Sequence, residues 1–467
     1  MWGLVYIINS NYMQAYMKKN KITHRVFLLT ALFLLVVMGA ISCSKPSSNI
    51  PEAKKTKYTA IDYFDVNSPT TIKINDVEYA FIEDNVTWIH ALYYKKDFTG
   101  IHDHILSLLD SKEEEKSHEL TRLYRALVEI TDDKHIDLMH SVLNEWCSKQ
   151  PDSHIPWLVR GSFYITWAWS IRGAGWAKDV QKEAWSKFEE KLRMAKKDID
   201  QSFKLNPNDP NSSYYLLIIA RGLGLPKNIM EEYYQNGIKT CPWHFGIHSQ
   251  KLEYLKPKWG GSREEMFEFA NQCLALSAQY PWLGVIMAKA YKEDHKYNEK
   301  KENVLGREDV WPIIERIYTV LSDKYPDNLR VPFSYAYNAY LAKKDDIAMK
   351  QFEAIGNRWM EGTEWSSLEW YNSCRAFTYY RIGYNLLFQK RLYQISIDYF
   401  QSAIRYKPTA DAYYGLGIAY WHTGNSLRDV SMLRKAEESL KKAVQMKPDH
   451  KQAQEQLKKF QSMLNRV

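Results

Sequence analysis

The chain has 467 residues, 45% of them apolar and 14% aromatic, enough to bury a large core. Its formal charge of +8 falls to +4 once residues 1–42, which carry four Lys/Arg and no acid, are set aside. So mild and dispersed an excess excludes a nucleic-acid binder built on a basic stripe. Beyond that segment the cysteines are Cys147, Cys241, Cys273 and Cys374, too widely spaced for a zinc pattern.

In chain order, Lys18, Lys19, Lys21 and Arg25 precede an apolar run over 26–40, followed by Ile41, Ser42 and Cys43. The run is short of the ~20 residues a membrane span needs. Small residues before a lone cysteine resemble the bacterial lipoprotein signal, which implies removal of residues 1–42 and lipidation of Cys43 as the new N-terminus. Ala40 departs from that pattern, which favours Leu or Val three before the cysteine, and Met17 is the start that gives an ordinary signal peptide. The competing reading is an uncleaved anchoring helix. Polar, Pro- and Ser-containing residues follow, so 43–57 reads as the lipidated cysteine and a flexible tether. Within 58–83, residues 70–82 alternate apolar and polar around Asn75-Asp76, predicting a short β-hairpin expected to cap the first helix pair.

From 84 onward the pattern is helical. Residues 84–151 hold two pairs of apolar faces, Ile101/Ile105/Leu108 and Leu120/Leu123/Leu127 among them. Pro151, Pro207, Pro242, Pro281, Pro326, Pro408 and Pro448 each close an amphipathic stretch, mostly at intervals of 35–45 residues, with Asp or Asn directly after four of them as helix starters. A fixed punctuation at that period predicts an all-α solenoid of stacked helix pairs.

The C-terminal segment, 376–467, resembles tetratricopeptide repeats. Ser396, Phe400, Ala403 and Pro408, then Ala436, Leu440, Ala443 and Pro448, occupy that family's second-helix positions. Tyr413, Leu416, Gly417, Tyr420 and Gly424 occupy its first-helix positions, about seven extra residues interrupt the unit near 426–432, and the last helix reads as a cap. The template fits 292–375 and 152–291 more loosely; Ala348, Phe352 and Ile355 supply a second helix without its proline. The 152–291 region also resembles a bacterial family of unknown function, through the Trp/Arg-Gly-Ala-Gly stretch at 167–175, residues 205–210 and the Pro-Lys-Trp-Gly-Gly-Ser motif at 257–262. That resemblance implies organisation and no catalytic residue.

Ser262 and Glu265 form a capping box, and the glycines before them permit a tight turn. Arg172 to Gly175 lacks the preceding strand and third glycine of a phosphate loop. It opens an insertion, 176–193, patterned as an extra amphipathic helix. His244 and His248 are four apart, but a zinc site needs more convergent ligands. Cys241 and Cys273 are the thiol pair worth testing for a disulfide. With no nucleophile elbow or metalloprotease motif, neither catalytic residue, metal nor cofactor is expected.

Aromatic residues are plentiful, with 16 Trp and 33 Tyr. Trp157 falls at a template core position; Trp167, Trp169, Arg172, Trp176 and Trp259 are the candidate ligand-binding residues. The sequence therefore predicts a non-catalytic, lipid-anchored repeat protein that holds a protein or peptide partner at a bacterial envelope. The alternative is a glycan-binding lipoprotein with near-coplanar exposed Trp rings. An enzyme would need a deep pocket with two carboxylates, or a third ligand beside His244 and His248.

Overall fold

Six of the seven prolines stand two residues past the end of a helix, and Pro281 stands five past, opening a 3-10 turn. The computed structural model describes residues 71–74, 77–81, 88–89, 91–129, 135–173, 175, 180–297, 302–360 and 362–464. The leader, Cys43, the tether and Trp176 lie outside the described residues. Two helices, α1 (Phe98–Leu109) and α2 (Glu114–Ala126), precede α3 (Ile136–Lys149). Helix pairs then follow: α4 (His154–Arg172) with α5 (Lys182–Leu205), α6 (Pro210–Gly222) with α7 (Lys227–Thr240), and α8 (Phe245–Tyr254) with α9 (Arg263–Leu276). Next come α10 (Gly284–Tyr297) with α11 (Trp311–Lys324), α12 (Arg330–Leu341) with α13 (Asp345–Ile355), α14 (Leu368–Tyr384) with α15 (Tyr393–Tyr406), and α16 (Ala410–Leu427) with α17 (Val430–Met446). The amphipathic α18 (Lys451–Leu464) comes last, as expected of a cap. The fold is an all-α, tetratricopeptide-like solenoid of irregular helix pairs.

Small residues set the spacing within pairs. A Cβ on Gly161 would stand 2.5 Å from Ile199 Cδ1 and 3.2 Å from the Ala195 carbonyl; one on Gly417 would stand 2.8 Å from Leu440 Cγ and 3.2 Å from the Ala436 carbonyl. These are equivalent positions in the first and last pairs, and both hold the template's small residues. Four turns differ from expectation in one respect: the cap lies two residues after the proline rather than one, whereas at Pro408 it is Thr409, directly after, that accepts from Ala412 N–H at 3.2 Å. Ser153, Asp209, His244 and His450 accept hydrogen bonds from the backbone N–H of Ile155, Asn211, Ile247 and Ala453. The intervening residue completes the turn, leaving the second with the extended backbone that an N-cap needs.

Two further expectations are corrected. The insertion after Gly175 makes no separate helix; its patterned residues, Trp185, Phe188 and Leu192, form the first half of the 24-residue α5. The hairpin does not cap the first helix pair. β1 (Thr71–Ile74) and β2 (Val77–Phe81) pair antiparallel, and β2 pairs parallel with β3 (Arg358–Trp359), in the turn between α13 and α14. That turn is the one without a proline: Gly356 ends α13 at φ +65°, and a strand replaces the usual tight connection. Tyr79, fully buried, donates to Asn372 Oδ1 on α14 at 2.5 Å.

The first helices also fold back along the array. α2 lies across four consecutive proline turns. Glu114 accepts from Trp282 N–H at 3.2 Å and from the Tyr325 hydroxyl at 2.6 Å, and Glu115 accepts from Asn328 Nδ2 at 2.7 Å. His118 packs against Phe245 and Trp282. Thr121 donates to Asn211 Oδ1 at 3.1 Å, and Tyr124 to Asp209 Oδ2 at 3.1 Å. Equivalent turns recur once per pair, so one helix can bridge them all.

Candidate functional site

Trp169 and Arg172 lie on the last turns of α4, Trp185 at the start of α5, Arg221 near the end of α6, and Trp259 in the 3-10 turn Pro257–Trp259 after α8. Their side chains alternate. The Arg172 guanidinium stands 5.2 Å from the Trp185 ring and 5.4 Å from Trp169; Arg221 stands 5.7 Å from Trp169 and 5.3 Å from Trp259. The result is a cation–π ladder, Trp185–Arg172–Trp169–Arg221–Trp259, tying three consecutive pairs together. Arg221 donates to Gln250 Oε1 at 2.7 Å, and the Trp259 indole donates to Glu253 Oε1 at 3.1 Å. Burial pushes both arginines below their ordinary range, with Glu253 opposing the shift for Arg221.

Of the sequence-predicted residues, Trp169, Arg172 and Trp259 thus come together. Trp167 points away, to Phe163 at 5.6 Å, His140 at 6.2 Å and the Lys191 ammonium at 4.2 Å. The ladder rings meet edge to face: Trp169 is inclined 89° to Trp259 and 73° to Phe188. Trp157 is half-buried, its indole donating to the Pro151 carbonyl at 2.9 Å and Arg160 lying over its ring.

The Pro257–Ser262 motif explains how Trp259 is placed. Gly260 is left-handed at φ +87°, and a Cβ on Gly261 would sit 2.0 Å from the Leu255 carbonyl oxygen. Ser262 accepts from Glu265 N–H at 3.0 Å, capping α9 as expected. The Glu265 carboxylate binds Lys227 at 2.6 Å rather than reaching back to Ser262 N–H, so only the serine half of the expected capping box is formed.

A cavity missed in the sequence lies between first helices. About 410 Å³ in volume, it is walled by Ser249 and Leu252 of α8, by Lys289, Lys292 and Glu293 of α10, and by Tyr337 and Leu341 of α12. Lys256 bridges two carboxylates there, Glu253 at 2.6 Å and Glu293 at 2.7 Å. Burial opposes the Glu253 charge, but Lys256 and Lys258 outweigh it and hold the carboxyl at about 2. Two carboxylates are therefore present, yet Glu253 is a permanently charged anchor and no proton donor near neutrality. Farther along, a cavity of about 330 Å³ is lined by Tyr340 of α12, by Trp370, Phe377 and Tyr380 of α14, and by Lys407. Tyr337 and Tyr340, three apart on α12, line one cavity each. Lysines at helical spacing on a mostly buried helix were the available signal; only the stacking of first helices turns them into one wall.

His244 and His248 are buried and point to different partners: His244 Nδ1 caps α8, while His248 Nε2 donates to the Pro242 carbonyl at 2.9 Å. Among the described residues no group of three or more His, Cys, Asp or Glu could hold a metal ion. Cys147, Cys241, Cys273 and Cys374 are buried free thiols; burial pushes the first three up to about 12. Cys241 lies 3.8 Å from Ser117 Oγ and Cys273 3.6 Å from His248 Nδ1, so each faces its own neighbour and they form no disulfide. No helix among the described residues is long and apolar enough to cross a membrane.

A family model, the domain of unknown function DUF4034, matches residues 101–231. Solved structures similar to this chain include the human IFIT1 dimer with m7Gppp-AAAA, at 13% identity over 73% of this chain and 71% of that one, TM-score 0.30. Yeast Tom70 is similar at 11% identity over 81% and 89%, TM-score 0.23. Naa15/Naa10 bound to HypK-THB is similar at 14% identity over 81% and 65%, TM-score 0.23. At these scores nothing about function passes from them to this chain. No curated protein matches it. The DUF4034 match takes in α2, Trp167, Trp169, Arg172 and Arg221, and ends before Trp259 and the Pro-Lys-Trp-Gly-Gly-Ser motif, so it begins and ends earlier than the 152–291 region.

Proposed function

We propose that this chain is a non-catalytic scaffold that holds a protein or peptide partner along its first helices, anchored by a lipid on Cys43 at the bacterial envelope, on the outer membrane. The observation that supports partner binding is the pair of neighbouring cavities walled by successive first helices, one basic and one aromatic. An extended polypeptide laid across such a row makes many modest contacts, each side chain finding a different chemistry. The ladder counts against the glycan alternative. A sugar-stacking platform needs open ring faces, whereas Trp169 and Trp259 meet at 89° with Arg221 stacked on both.

Capture of the full chain from its native envelope after mild crosslinking tests this reading, with Phe377→Ala/Tyr380→Ala as comparison. One protein enriched with the native chain and lost with the double variant supports it; glycan enriched instead, lost with Trp169→Ala, transfers support to the alternative. The anchor is tested separately: Cys43→Ser should release the chain from the membrane fraction, and retention would remove the lipid from the account.

A further inference from the structure

We propose that the cavity between α8, α10 and α12 is an anion site that receives a carboxylate of the bound polypeptide, with Lys289 as its central donor; this rests on the scaffold reading above. Lys289 Nζ donates to Ser249 Oγ at 2.6 Å and lies 5.0 Å from the Phe245 ring. Among the described residues no ion pair joins it to a carboxylate.

The Lys256, Lys292, Glu253 and Glu293 charges around it are already matched. Lys256 holds Glu253 and Glu293, and Lys292 holds Glu364 at 3.3 Å, whose other partner is the Ser334 hydroxyl at 2.6 Å. Lys289 is the cation left with only a neutral acceptor. Burial, then the Lys292 and Lys256 charges, push it down to about 8, with Glu364 and Glu253 opposing. The rim is completed by His295 and Lys296 of α10 and Tyr337 of α12. A desolvated ammonium without a counter-charge is costly. An entering carboxylate would supply that charge and a charge-assisted hydrogen bond, displacing nothing already paired. The cavity, about 410 Å³, admits a side chain or a chain terminus and opens between helices that the scaffold reading assigns to the partner.

The test uses the purified full chain with three labelled hexapeptides: hexaglutamate amide, hexa-alanine with a free C-terminus, and hexa-alanine amide. Binding is read by fluorescence anisotropy. Occupancy of the site is read by competitive acetylation of Lys289 followed by mass spectrometry. One of the two carboxylate probes should bind and protect Lys289, identifying side-chain or terminal carboxylate as the source, and the amide control should do neither. Lys289→Met should weaken binding roughly tenfold or more, and Ser249→Ala, which leaves the ammonium in place, should not. Affinity should also fall from pH 7 to pH 9 as the amine loses its proton. Circular dichroism checks that Lys289→Met is folded. Equal binding by folded Lys289→Met, or no protection of native Lys289 by any probe, overturns the site. An envelope partner captured equally by native chain and Lys289→Met would overturn it while leaving the scaffold standing. Carboxylate protection without any captured partner would do the reverse.

Discussion

At the scale of residues, the central region is held by stacked charge as much as by apolar packing. Arg221 fits between Trp169 and Trp259 because a guanidinium is planar and weakly hydrated; an ammonium is neither. Arg221→Lys is therefore expected to lower stability by about 1–2 kcal/mol in urea unfolding. Arg193→Lys, exposed on α5, should leave the midpoint unchanged. Much of this chemistry could be read from residue types: Trp169, Arg172 and Trp259 are picked out by composition, and Gly260 and Gly261 by the need for a tight turn. Trp185 and Arg221 complete the ladder from α5 and α6, and no sequence spacing relates residues 36 apart on different helices. Trp167 shows the converse limit. Two residues from Trp169 on one helix, it faces elsewhere, since i and i+2 do not share a face.

At the scale of elements, α2 and the hairpin are where local pattern and tertiary placement part. Their amphipathic patterns are plain, and the strand signal at 70–82 does give a hairpin. What each one packs against is set by turns up to 280 residues away. Periodicity predicts the helix pairs because each contact there lies between sequence neighbours; it is silent on a helix that crosses four units. Burial of histidines on α2 and around the Pro242 turn leaves a titration signature. Desolvation, reinforced by the neighbouring His244, Arg122 and Arg330, lowers His118 to about 3. His244 is lowered to about 4, chiefly by burial, against the pull of Asp209, and burial likewise lowers His248 to about 4 despite the Pro242 carbonyl. Each is neutral when folded and takes up a proton when unfolded, below about 6.5. The unfolded state binds more protons in that window, so stability is full above it and falls as pH drops towards 4. The slope is about 1.4 kcal/mol per pH unit for each such histidine. His118→Phe keeps a ring against Phe245 and Trp282 and should reduce the loss between pH 7 and pH 5, measured by urea midpoints. An unchanged pH slope would show that α2 is not held as described.

At the scale of the whole described array, cohesion is uneven. One apolar cluster runs from Val77 through the central pairs to Ala412, while α15 to α18 gather around a second one containing Phe400, Leu416, Leu440 and Phe460. α2 and the hairpin brace the first region, the hairpin reaching as far as Asn372 of α14, and no described contact joins either of them to α16, α17 or α18. Amides of α16 to α18 should therefore exchange with deuterium at lower opening free energy than those of α6 to α12, which should open together. Uniform exchange along the array would contradict that division. The repeat architecture was legible because prolines, small residues and aromatics recur at fixed offsets. The two cavities were not, because their walls come from three successive units. Those two cavities, on first helices, are where we propose that a protein partner lies. Site-specific photocrosslinking in the native envelope tests it most directly, with a photoreactive residue placed at Tyr337, at Phe377, or at the exposed Lys442 of α17. One protein adduct is expected from Tyr337 and Phe377 and none from Lys442; adducts from Lys442 alone, equal labelling from all three positions, or no protein adduct at all would rule the cavities out as the partner's seat.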